Sequence, residues 1–560
     1  MGSLYIGGIE LLEPDPKLHA LQRKLRGQHL AEMGVSGSST NPQENNALLQ
    51  VLFGRLNSTF SDYISCISSR GLSDFFLYQY EQMTKVYAKH KTGQLSPSDD
   101  ALFQRIAPSR MIALRFIVER IVLLGETDDD SIPHEIKNFA AHRIFTCAEE
   151  LVDLYISSDQ THLAFPEHTR VTVDLKTPPF LFLRLDALDP DFGQRVRDSQ
   201  INNKEKLRMK ELLGGLELVG DSDARRRHLD STLQSIVGTD LDNIFHVLWE
   251  FCMPFPLPLP EGQKYPIPFC VEEQLLQDIA KKHRISREIV SKIVDAFLLT
   301  REKMETEKHE VYISKNKYRS FSRPLLRLPH TKGWHITWSP EMAKESLDHF
   351  HNMLPFGQAP VEWMPALEAP LSRLNNELSA RFEDRYSELM GERNFVGARF
   401  KRRIGKDTAR IRIPDDIGEI DHLAYSAKFD LLVVTECKFV RWGSNPKDYY
   451  NDRWDFVKKK GSYVQQVTRK VEWVQKEFFA VFAAMKSVLP IPADAALPSR
   501  VAHCIVTYYP SPVSLFVHSC PCLSFARFFD ALDAADDWPF ETGVKQYSPA
   551  KAQSHAVAEI

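Results

Sequence analysis

Hydrophobic residues recur at helical spacing through most of the first 160 residues, and this spacing predicts a mainly α-helical region. Within residues 108–124, Met111, Leu114, Ile117, Val118 and Ile121 recur at intervals of three and four residues, which places them on one face of a helix. The same spacing predicts further helices over residues 18–33, 45–55, 73–90 and 134–157. We therefore predict a helical N-terminal domain over residues 1–160.

Alternating hydrophobic and polar positions appear in the next part of the chain. Residues 169–175 and 180–185 alternate as strands do, whereas residues 203–218 and 232–250 have helical spacing. This mixture predicts an α/β middle region over residues 161–253.

A cluster of prolines then interrupts both patterns. Six prolines between positions 254 and 268 exclude a helix or a central strand there, because proline lacks a backbone N–H. We assign residues 254–269 to a proline-rich linker. Residues 270–361 follow as a helix pair plus a β-hairpin region. The helix pair faintly resembles a DNA-binding helix-turn-helix, but Arg284 stands where such motifs usually carry glycine, so an ordinary αα-hairpin is the preferred interpretation.

The last region, residues 362–545, combines helical and alternating patterns in an ordered series. The predicted elements are a helix over 370–391, a basic strand over 397–412, a hairpin with strands over 418–425 and 431–439, a helix over 462–482, a strand over 501–509 and a helix over 523–532. The fold class is therefore multidomain. A mostly α-helical N-terminal region with a small α+β part precedes a C-terminal α/β domain, whose mixed central sheet is flanked by helices.

Composition and charge exclude several classes of protein. Hydrophobic residues make up 43% of the chain and charged residues 26%, as in ordinary globular proteins. The formal net charge of −4 excludes a uniformly basic nucleic-acid binder, but not a local basic surface. The eight cysteines include no CxxC pair, which favours reduced thiols in a cytoplasmic protein. No segment reaches the roughly 18 uncharged apolar residues that a membrane span needs, so we expect no membrane partner.

The candidate chemistry lies in the predicted hairpin of the last region. Side chains alternate along a strand, so Glu436 and Lys438 share one face, about 7 Å apart at ~3.3 Å per residue. Pairing of the two strands brings Asp421 next to Glu436, whereas His422 is expected on the opposite face and not as a metal ligand. Two adjacent carboxylates on an apolar sheet repel each other. A divalent cation such as Mg²⁺, which prefers oxygen ligands, removes this conflict.

An alternative interpretation of these residues is a surface hairpin in which Lys438 forms a salt bridge with Asp421 or Glu436. Such pairs contribute little to stability at a surface. It does not explain why charged residues directly follow the mostly apolar run at 431–435, and we favour the catalytic interpretation.

The motif Gly418-Glu419-Ile420-Asp421, then fourteen residues, then Glu436-Cys437-Lys438 resembles the PD-(D/E)xK nuclease superfamily, particularly its NERD-like and restriction-endonuclease-like branches. The resemblance covers about 170 of the 560 residues and implies a core of α-β-β-β-α-β order. It also implies catalytic roles for five residues, which are Asp421, Glu436, Lys438, Glu383 on the preceding helix, and Gln466 from the Gln465-Gln466 pair on the following helix. The implied metal ligands are Asp421, Glu436, Glu383 and the backbone carbonyl of Cys437.

Basic residues surround this motif, and Arg469 and Lys470 belong to them because they lie close to Gln466 on the same predicted helix. Seven of the fourteen residues at 399–412 are Lys or Arg, and nucleic-acid phosphates are the expected partners of such a cluster. The predicted nucleic-acid-binding residues are Arg399, Lys401, Arg402, Arg403, Lys458, Lys459 and Lys460. Trp442, Tyr449, Tyr450 and Trp454 are interleaved aromatics that could stack on bases. The alternative is a solvated strand edge with core aromatics, which is preferred for any single aromatic.

Together these features predict a Mg²⁺-dependent endonuclease, with Mn²⁺ as a substitute cation, that hydrolyses phosphodiester bonds in DNA rather than RNA. The N-terminal region is expected to serve the nuclease domain by sensing a signal, by recruiting the domain or by restraining it. The biological role is expected to be one such as defence against phage or foreign DNA. A homodimer, or a partner protein engaging the N-terminal region, is a further expectation. Two alternatives remain open: an RNase of the same fold, and a non-catalytic nucleic-acid-binding or scaffold protein. The intact acids and lysine favour catalysis.

Overall fold

The computed structural model describes residues 3–65, 67, 69–125, 138–167, 169–174, 180–185, 203–213, 224–254, 259, 264–306, 318–331, 333–441 and 446–546. The chain divides into two compact units, Met1–Leu188 with Asp221–Leu371, and Asp189–Gly220 with Ser372–Ile560. Most of the proline-rich segment, residues 307–317 of the predicted β-hairpin region and Trp442 lie outside the described residues. Among the described residues, no helix is both long enough and apolar enough to cross a membrane.

The helices are numbered in chain order. They are α1 (Pro16–Glu32), α2 (Pro42–Ser65), α3 (Ser69–Lys91), α4 (Pro97–Leu124), α5 (Asn138–Asp159), α6 (Asn203–Leu213), α7 (Ala224–Ile236), α8 (Leu241–Glu250), α9 (Glu272–His283), α10 (Arg287–Ala296), α11 (Arg301–Glu305), α12 (Pro340–Met353), α13 (Met364–Glu392), α14 (Pro446–Arg453), α15 (Tyr463–Lys476), α16 (Phe478–Val488) and α17 (Phe525–Asp533).

The strands are numbered in the same way. They are β1 (Ser3–Ile6), β2 (Ile9–Leu12), β3 (Gly37–Ser39), β4 (Thr169–Asp174), β5 (Phe180–Leu185), β6 (Phe269–Val271), β7 (Leu298–Leu299), β8 (Leu325–His330), β9 (Gly333–Thr337), β10 (Val396–Phe400), β11 (Arg403–Ile404), β12 (Ile411–Arg412), β13 (Ile420–Ser426), β14 (Leu431–Lys438), β15 (Arg500–Thr507), β16 (Cys522–Ser524) and β17 (Val544–Gln546).

The first unit is mainly helical, as the hydrophobic spacing predicts. Helices α2, α3, α4 and α5 pack on one another around a shared apolar core. Helix α4 begins at Pro97 rather than at the predicted Pro108, because Ser96 caps it by accepting a hydrogen bond from the backbone N–H of Asp99. Proline is favourable at the first position of a helix, where its missing N–H costs nothing.

Small sheets accompany these helices, and the hydrophobic spacing did not predict all of them. Strands β1 and β2 form a hairpin whose turn uses the positive φ of Gly7 and Gly8. Strand β3 pairs with β4, and β4 with β5. Strands of three or four residues are too short to give a recognisable alternation, which explains why β1 to β3 were missed.

The predicted helix pair is present as α9 and α10. Ser286 caps α10 by accepting a hydrogen bond from the N–H of Ile289. Arg284, between the two helices, adopts the left-handed conformation with φ of 56°, which glycine usually supplies. The departure of this turn from the helix-turn-helix pattern is therefore one of residue type and not of backbone conformation.

The second unit is built on a mixed sheet with strand order β10-β13-β14-β15-β16, and β17 pairs with the beginning of β15. Strands β13 and β14 are antiparallel, whereas β14 and β15 are parallel. The succession α13, β10, β13, β14, α15, β15 contains the predicted order. The mixed sheet of the C-terminal region is thereby confirmed.

Helices cover both faces of this sheet. On one face, Val467 and Val471 of α15 belong to an apolar core with Leu432 and Val434 of β14. On the other face, Tyr386 of α13 donates or accepts a 2.9 Å hydrogen bond with the hydroxyl of Thr435 and packs against Phe528 and Phe529 of α17. Burial on both faces explains the nearly continuous apolar sequence of β14.

Candidate functional site

The hairpin of β13 and β14 places the two predicted acids side by side. His422 pairs with Thr435 in the register, and the next positions along the two strands are Asp421 and Glu436. The backbone N–H of Cys437 donates a 2.9 Å hydrogen bond to Oδ2 of Asp421. The predicted proximity of the two carboxylates is therefore present in the structure.

A register irregularity with β10 shapes this end of β13. Ala398 pairs with Leu423 and Phe400 with Ile420, so two residues of β13 lie opposite the single residue Arg399. Such a bulge re-aims side chains and is common beside functional sites. Asp421 is one of the two residues at this bulge.

Two lysines contact the two acids and complete a cluster of four charged residues, Asp421, Glu436, Lys438 and Lys470, which we call the charge quartet. Nζ of Lys438 lies 2.5 Å from Oε1 of Glu436 and 3.7 Å from Oδ2 of Asp421. Nζ of Lys470, on α15, contacts Oε2 of Glu436 and lies 3.8 Å from Oδ1 of Asp421. Each carboxylate oxygen of the pair therefore has an ammonium group as a neighbour.

The charge quartet is buried, but unequally. The side chain of Glu436 is 1% exposed and that of Lys470 is 5% exposed, whereas Asp421 reaches 11% and Lys438 18%. Solvent therefore meets Lys438 and Asp421 first. The ring of Tyr463, at the first position of α15, lies 4.8 Å from Nζ of Lys438 and adds a cation–π contact.

Burial and mutual charge shift two members of the charge quartet. Burial, followed by the repulsion of Glu436, raises the pKa of Asp421 above its ordinary value. Burial alone would lower the pKa of Lys438, but the attraction of Glu436 and Asp421 outweighs it and the pKa rises. A lysine with a raised pKa stays protonated, so at neutral pH Lys438 acts as a fixed positive charge and not as a general base.

Glu383 of α13 lies near the charge quartet but has its own partner. Its Oε2 is 2.8 Å from Nη1 of Arg399, and Nε of the same arginine contacts Oε1 of Glu419. Burial and the negative charge of Asp421 raise the pKa of Glu383 to about 7, against the opposing effect of Arg399. The predicted phosphate ligand Arg399 is thus engaged in ion pairs with two carboxylates.

Gln466, the predicted glutamine, does not contact the acids among the hydrogen bonds of the described residues. Its Nε2 donates a 2.7 Å hydrogen bond to the carbonyl of Gly461, and Gln465 accepts one from the N–H of Gly461. Both side chains therefore hold the loop before α15. The residue of α15 that reaches the acids is Lys470, one helical turn after Gln466.

Lys470 was missed as a site residue because sequence reasoning grouped it with the surrounding basic residues. One signal was available. Lys470 follows Gln466 by four residues. It shares a helix face with Val467, Val471 and Val474, which form the apolar face of α15. A lysine inside an apolar stripe needs a buried acidic partner, and Glu436 is the acid on the strand that this face covers.

His422 lies on the face opposite Asp421, as predicted. Its ring packs edge-on against Tyr386 at 5.2 Å, and both ring nitrogens are buried without a hydrogen-bond partner within the described part of the chain. Burial lowers the pKa of His422 to about 4. The ring is therefore a neutral core group at physiological pH.

Most of the predicted basic residues are exposed. Lys401, Arg402 and Arg403 directly follow Phe400, whose partner in the sheet is Ile420, next to Asp421. These three side chains form no ion pair with any acid that the structure describes. Lys458 and Lys460 are also exposed, whereas Lys459 is paired with Asp455 at 2.8 Å.

The described aromatics near the site have different environments. Trp454 is 51% exposed and Tyr450 is 43% exposed, so both remain available to stack on a base. Tyr449 is half-buried. The prediction for Trp442 lies outside the described residues.

The two carboxylates of Asp421 and Glu436 match the oxygen preference of Mg²⁺, and the backbone carbonyl of Cys437 is the further oxygen ligand that the resemblance implies. Among the described residues, no group of three or more His, Cys, Asp and Glu side chains is gathered as a ready cation site. The nearest charges to the two carboxylates are the ammonium groups of Lys438 and Lys470. The predicted ligands therefore fit the cation in type, while Lys438 and Lys470 contact the two carboxylate oxygens of Glu436.

Comparisons of the chain with models of protein families, with curated proteins and with solved structures give no match. The resemblance to a nuclease superfamily therefore depends on the motif residues themselves.

Proposed function

We propose that the second unit is a metal-dependent nuclease of restriction-endonuclease-like fold that hydrolyses phosphodiester bonds in DNA. One observation carries the proposal. Asp421 and Glu436 lie side by side at one end of the mixed sheet, in contact with Lys438, and the exposed residues Lys401, Arg402 and Arg403 continue from the same end. An acidic pair for a cation beside a cationic surface for phosphates is the combination that phosphodiester hydrolysis requires.

Each residue has a distinct part in the proposed reaction. Asp421, Glu436 and the carbonyl of Cys437 would hold Mg²⁺ or Mn²⁺, and the bound ion would lower the pKa of a water and stabilise charge on the phosphate. Lys438 stays protonated, so it orients a water or a phosphate oxygen by hydrogen bonding. Lys401, Arg402 and Arg403 bind the backbone of the nucleic acid through charge, without reading its sequence.

Glu383 is proposed as an outer group of the site and not as a direct ligand, because Arg399 holds its carboxylate at 2.8 Å. Gln466 is proposed to set the start of α15 through Gly461. Of the five catalytic residues that the resemblance implies, we therefore propose direct catalytic roles for three, which are Asp421, Glu436 and Lys438.

A second candidate is a non-catalytic nucleic-acid-binding protein with the same fold. The observation that favours it is the charge quartet itself, in which both oxygens of Glu436 already contact lysines. A buried and neutral group of this kind can fix a fold without any chemistry. The two candidates differ in whether the protein cuts nucleic acid when a divalent cation is supplied.

The test is incubation of the purified full-length protein with supercoiled plasmid and with RNA, in Mg²⁺, Mn²⁺ or EDTA. We expect cleavage of the plasmid that requires the cation and falls by about 100-fold or more in Glu436→Gln and Lys438→Met. The matched control is Lys486→Met, because Lys486 donates only to the carbonyls of Ala493 and Ala495 on the described part of the chain. Equal nicking by the wild type and both site variants would reject the nuclease, and cleavage of RNA alone would favour the RNase.

A further inference from the structure

Lys470 introduces a feature that the nuclease motif does not contain. Its ammonium group contacts Oε2 of Glu436, lies 3.8 Å from Asp421, and is buried on the apolar face of α15. Two carboxylates and two ammonium groups make the charge quartet electrically neutral. The conflict between neighbouring carboxylates, which pointed to a cation in the sequence, is thus already relieved by lysines.

We infer that Lys470 is a built-in counter-ion that competes with the divalent cation for Glu436 and Asp421, and that it must withdraw before the cation binds. This inference deepens the proposed nuclease function and rests on it for its purpose. Lys470 then controls when the site accepts a cation, because no cation binds while the ammonium group of Lys470 occupies the site.

Charge balance supports the exchange. A divalent cation added to the intact charge quartet would leave two uncompensated positive charges in a buried site, which is costly. If Lys470 withdraws, the cation, Lys438 and the two carboxylates together carry one positive charge. The single negative charge of a bound phosphodiester then restores neutrality, so the cation and the nucleic acid are expected to bind cooperatively.

The structure also indicates which lysine leaves. Lys438 is held by Glu436 at 2.5 Å, by Asp421 at 3.7 Å and by the ring of Tyr463 at 4.8 Å. Lys470 has contacts with the two carboxylates only, among the polar partners of the described residues. Lys470 therefore gives up only its contacts with the two carboxylates when it withdraws, whereas Lys438 would also lose its cation–π contact with Tyr463.

The first experiment measures cation binding directly, by Mn²⁺ titration followed by electron paramagnetic resonance, in the full-length protein. We expect Lys470→Met to bind Mn²⁺ at least about tenfold more tightly than the wild type, because the variant removes a positive charge that contacts Glu436 and lies 3.8 Å from Asp421. Lys486→Met, a lysine-to-methionine change on the neighbouring helix α16, should bind as the wild type does. Unchanged Mn²⁺ affinity in a folded Lys470→Met protein would overturn the inference.

The second experiment needs no variant and guards against misfolding of Lys470→Met. The wild type is treated with an amine-acetylating reagent, with and without Mg²⁺ and a non-cleavable DNA duplex, and the modified lysines are identified by peptide mass spectrometry. We expect Lys470 to be protected in the free protein and to become several-fold more reactive when Mg²⁺ and DNA are both present. Protection that persists with Mg²⁺ and DNA would overturn the inference.

The two proposals fail in different ways. Cation-dependent cleavage by the wild type, with no gain in Mn²⁺ affinity on removal of Lys470, leaves the nuclease intact and rejects the counter-ion. Tighter Mn²⁺ binding by Lys470→Met without any cleavage supports the counter-ion and rejects the nuclease.

Discussion

The charge quartet gives a direct prediction about stability, because its members are buried and its charges balance. Glu436→Gln leaves the quartet with one extra positive charge, and Lys470→Met leaves it with one extra negative charge. The double variant restores neutrality and keeps the pair of Asp421 and Lys438, which are 3.7 Å apart. The double variant should therefore be much more stable than the summed costs of the two single variants imply.

The magnitude follows from burial. With Glu436 1% exposed and Lys470 5% exposed, removal of one partner leaves an uncompensated buried charge, which costs about 3–5 kcal/mol. We expect the double variant to cost about 2–3 kcal/mol less than the sum of the single variants, as for residues in one interaction network. In Lys470→Met, part of the loss should be recovered as the pH falls, because Asp421 already has a raised pKa and can take up a proton.

The assay is urea unfolding of the full-length protein monitored by tryptophan fluorescence, since Trp473 is buried on α15, three residues after Lys470. At an m value of about 2 kcal/mol/M, each single variant should lower the midpoint of the second unit's transition by about 1.5–2.5 M. Lys486→Met serves as the control for loss of a lysine that, among the described residues, donates hydrogen bonds to carbonyls and lies over the ring of Phe482, without an acidic partner. Single-variant costs below about 1 kcal/mol, or strict additivity in the double variant, would refute a buried and neutral charge quartet.

Three further predictions concern pH and salt. The pKa of Glu383 rises from 4.5 to about 7 on folding, so the folded state binds its proton more tightly and this residue makes stability fall as pH rises from 4.5 to 7. In urea titrations, the free energy of unfolding of Glu383→Gln should increase relative to that of the wild type over that pH range. A difference that stays constant with pH would contradict the shift. The pKa of His422 falls from 6.5 to about 4 on folding, so its contribution to stability is lost as pH falls from 6.5 to 4. His422→Phe should therefore unfold at a lower pH than the wild type when circular dichroism is followed against pH. Equal acid sensitivity of the two proteins would contradict this prediction. Replacing Lys401, Arg402 and Arg403 by Ala should weaken DNA binding and reduce the slope of log affinity against log salt by about 0.9 for each phosphate that the variant no longer neutralises; an unchanged slope would place the nucleic acid elsewhere.

The hairpin is predictable from the sequence because its signals are local. The apolar run at 431–435 and the polar turn before it specify two paired strands, and the strand period of two then puts Glu436 and Lys438 on the same face. The structure adds the bulge at Asp421, which arises from pairing with β10, a strand that precedes β13 in the chain. A register shift of this kind depends on the partner strand, so the sequence of β13 alone does not reveal it.

The balance of charge at the site differs from what the sequence predicts. In the sequence, the two neighbouring carboxylates present a conflict that a cation removes, and Lys470 counts among the basic residues that attract phosphates. The apolar stripe of α15 carries Lys470 inward to Glu436, so the same lysine that makes the region look basic neutralises the site. In a sequence, a lysine within the apolar stripe of a helix should therefore be assigned to a buried acid on the strand that the helix covers, and not to a basic surface. For this chain, the rule identifies Lys470 as the residue to replace. If Lys470→Met binds a divalent cation more tightly than the wild type, a cation site exists and Lys470 blocks it; if the affinity does not change, Lys470 blocks no such site.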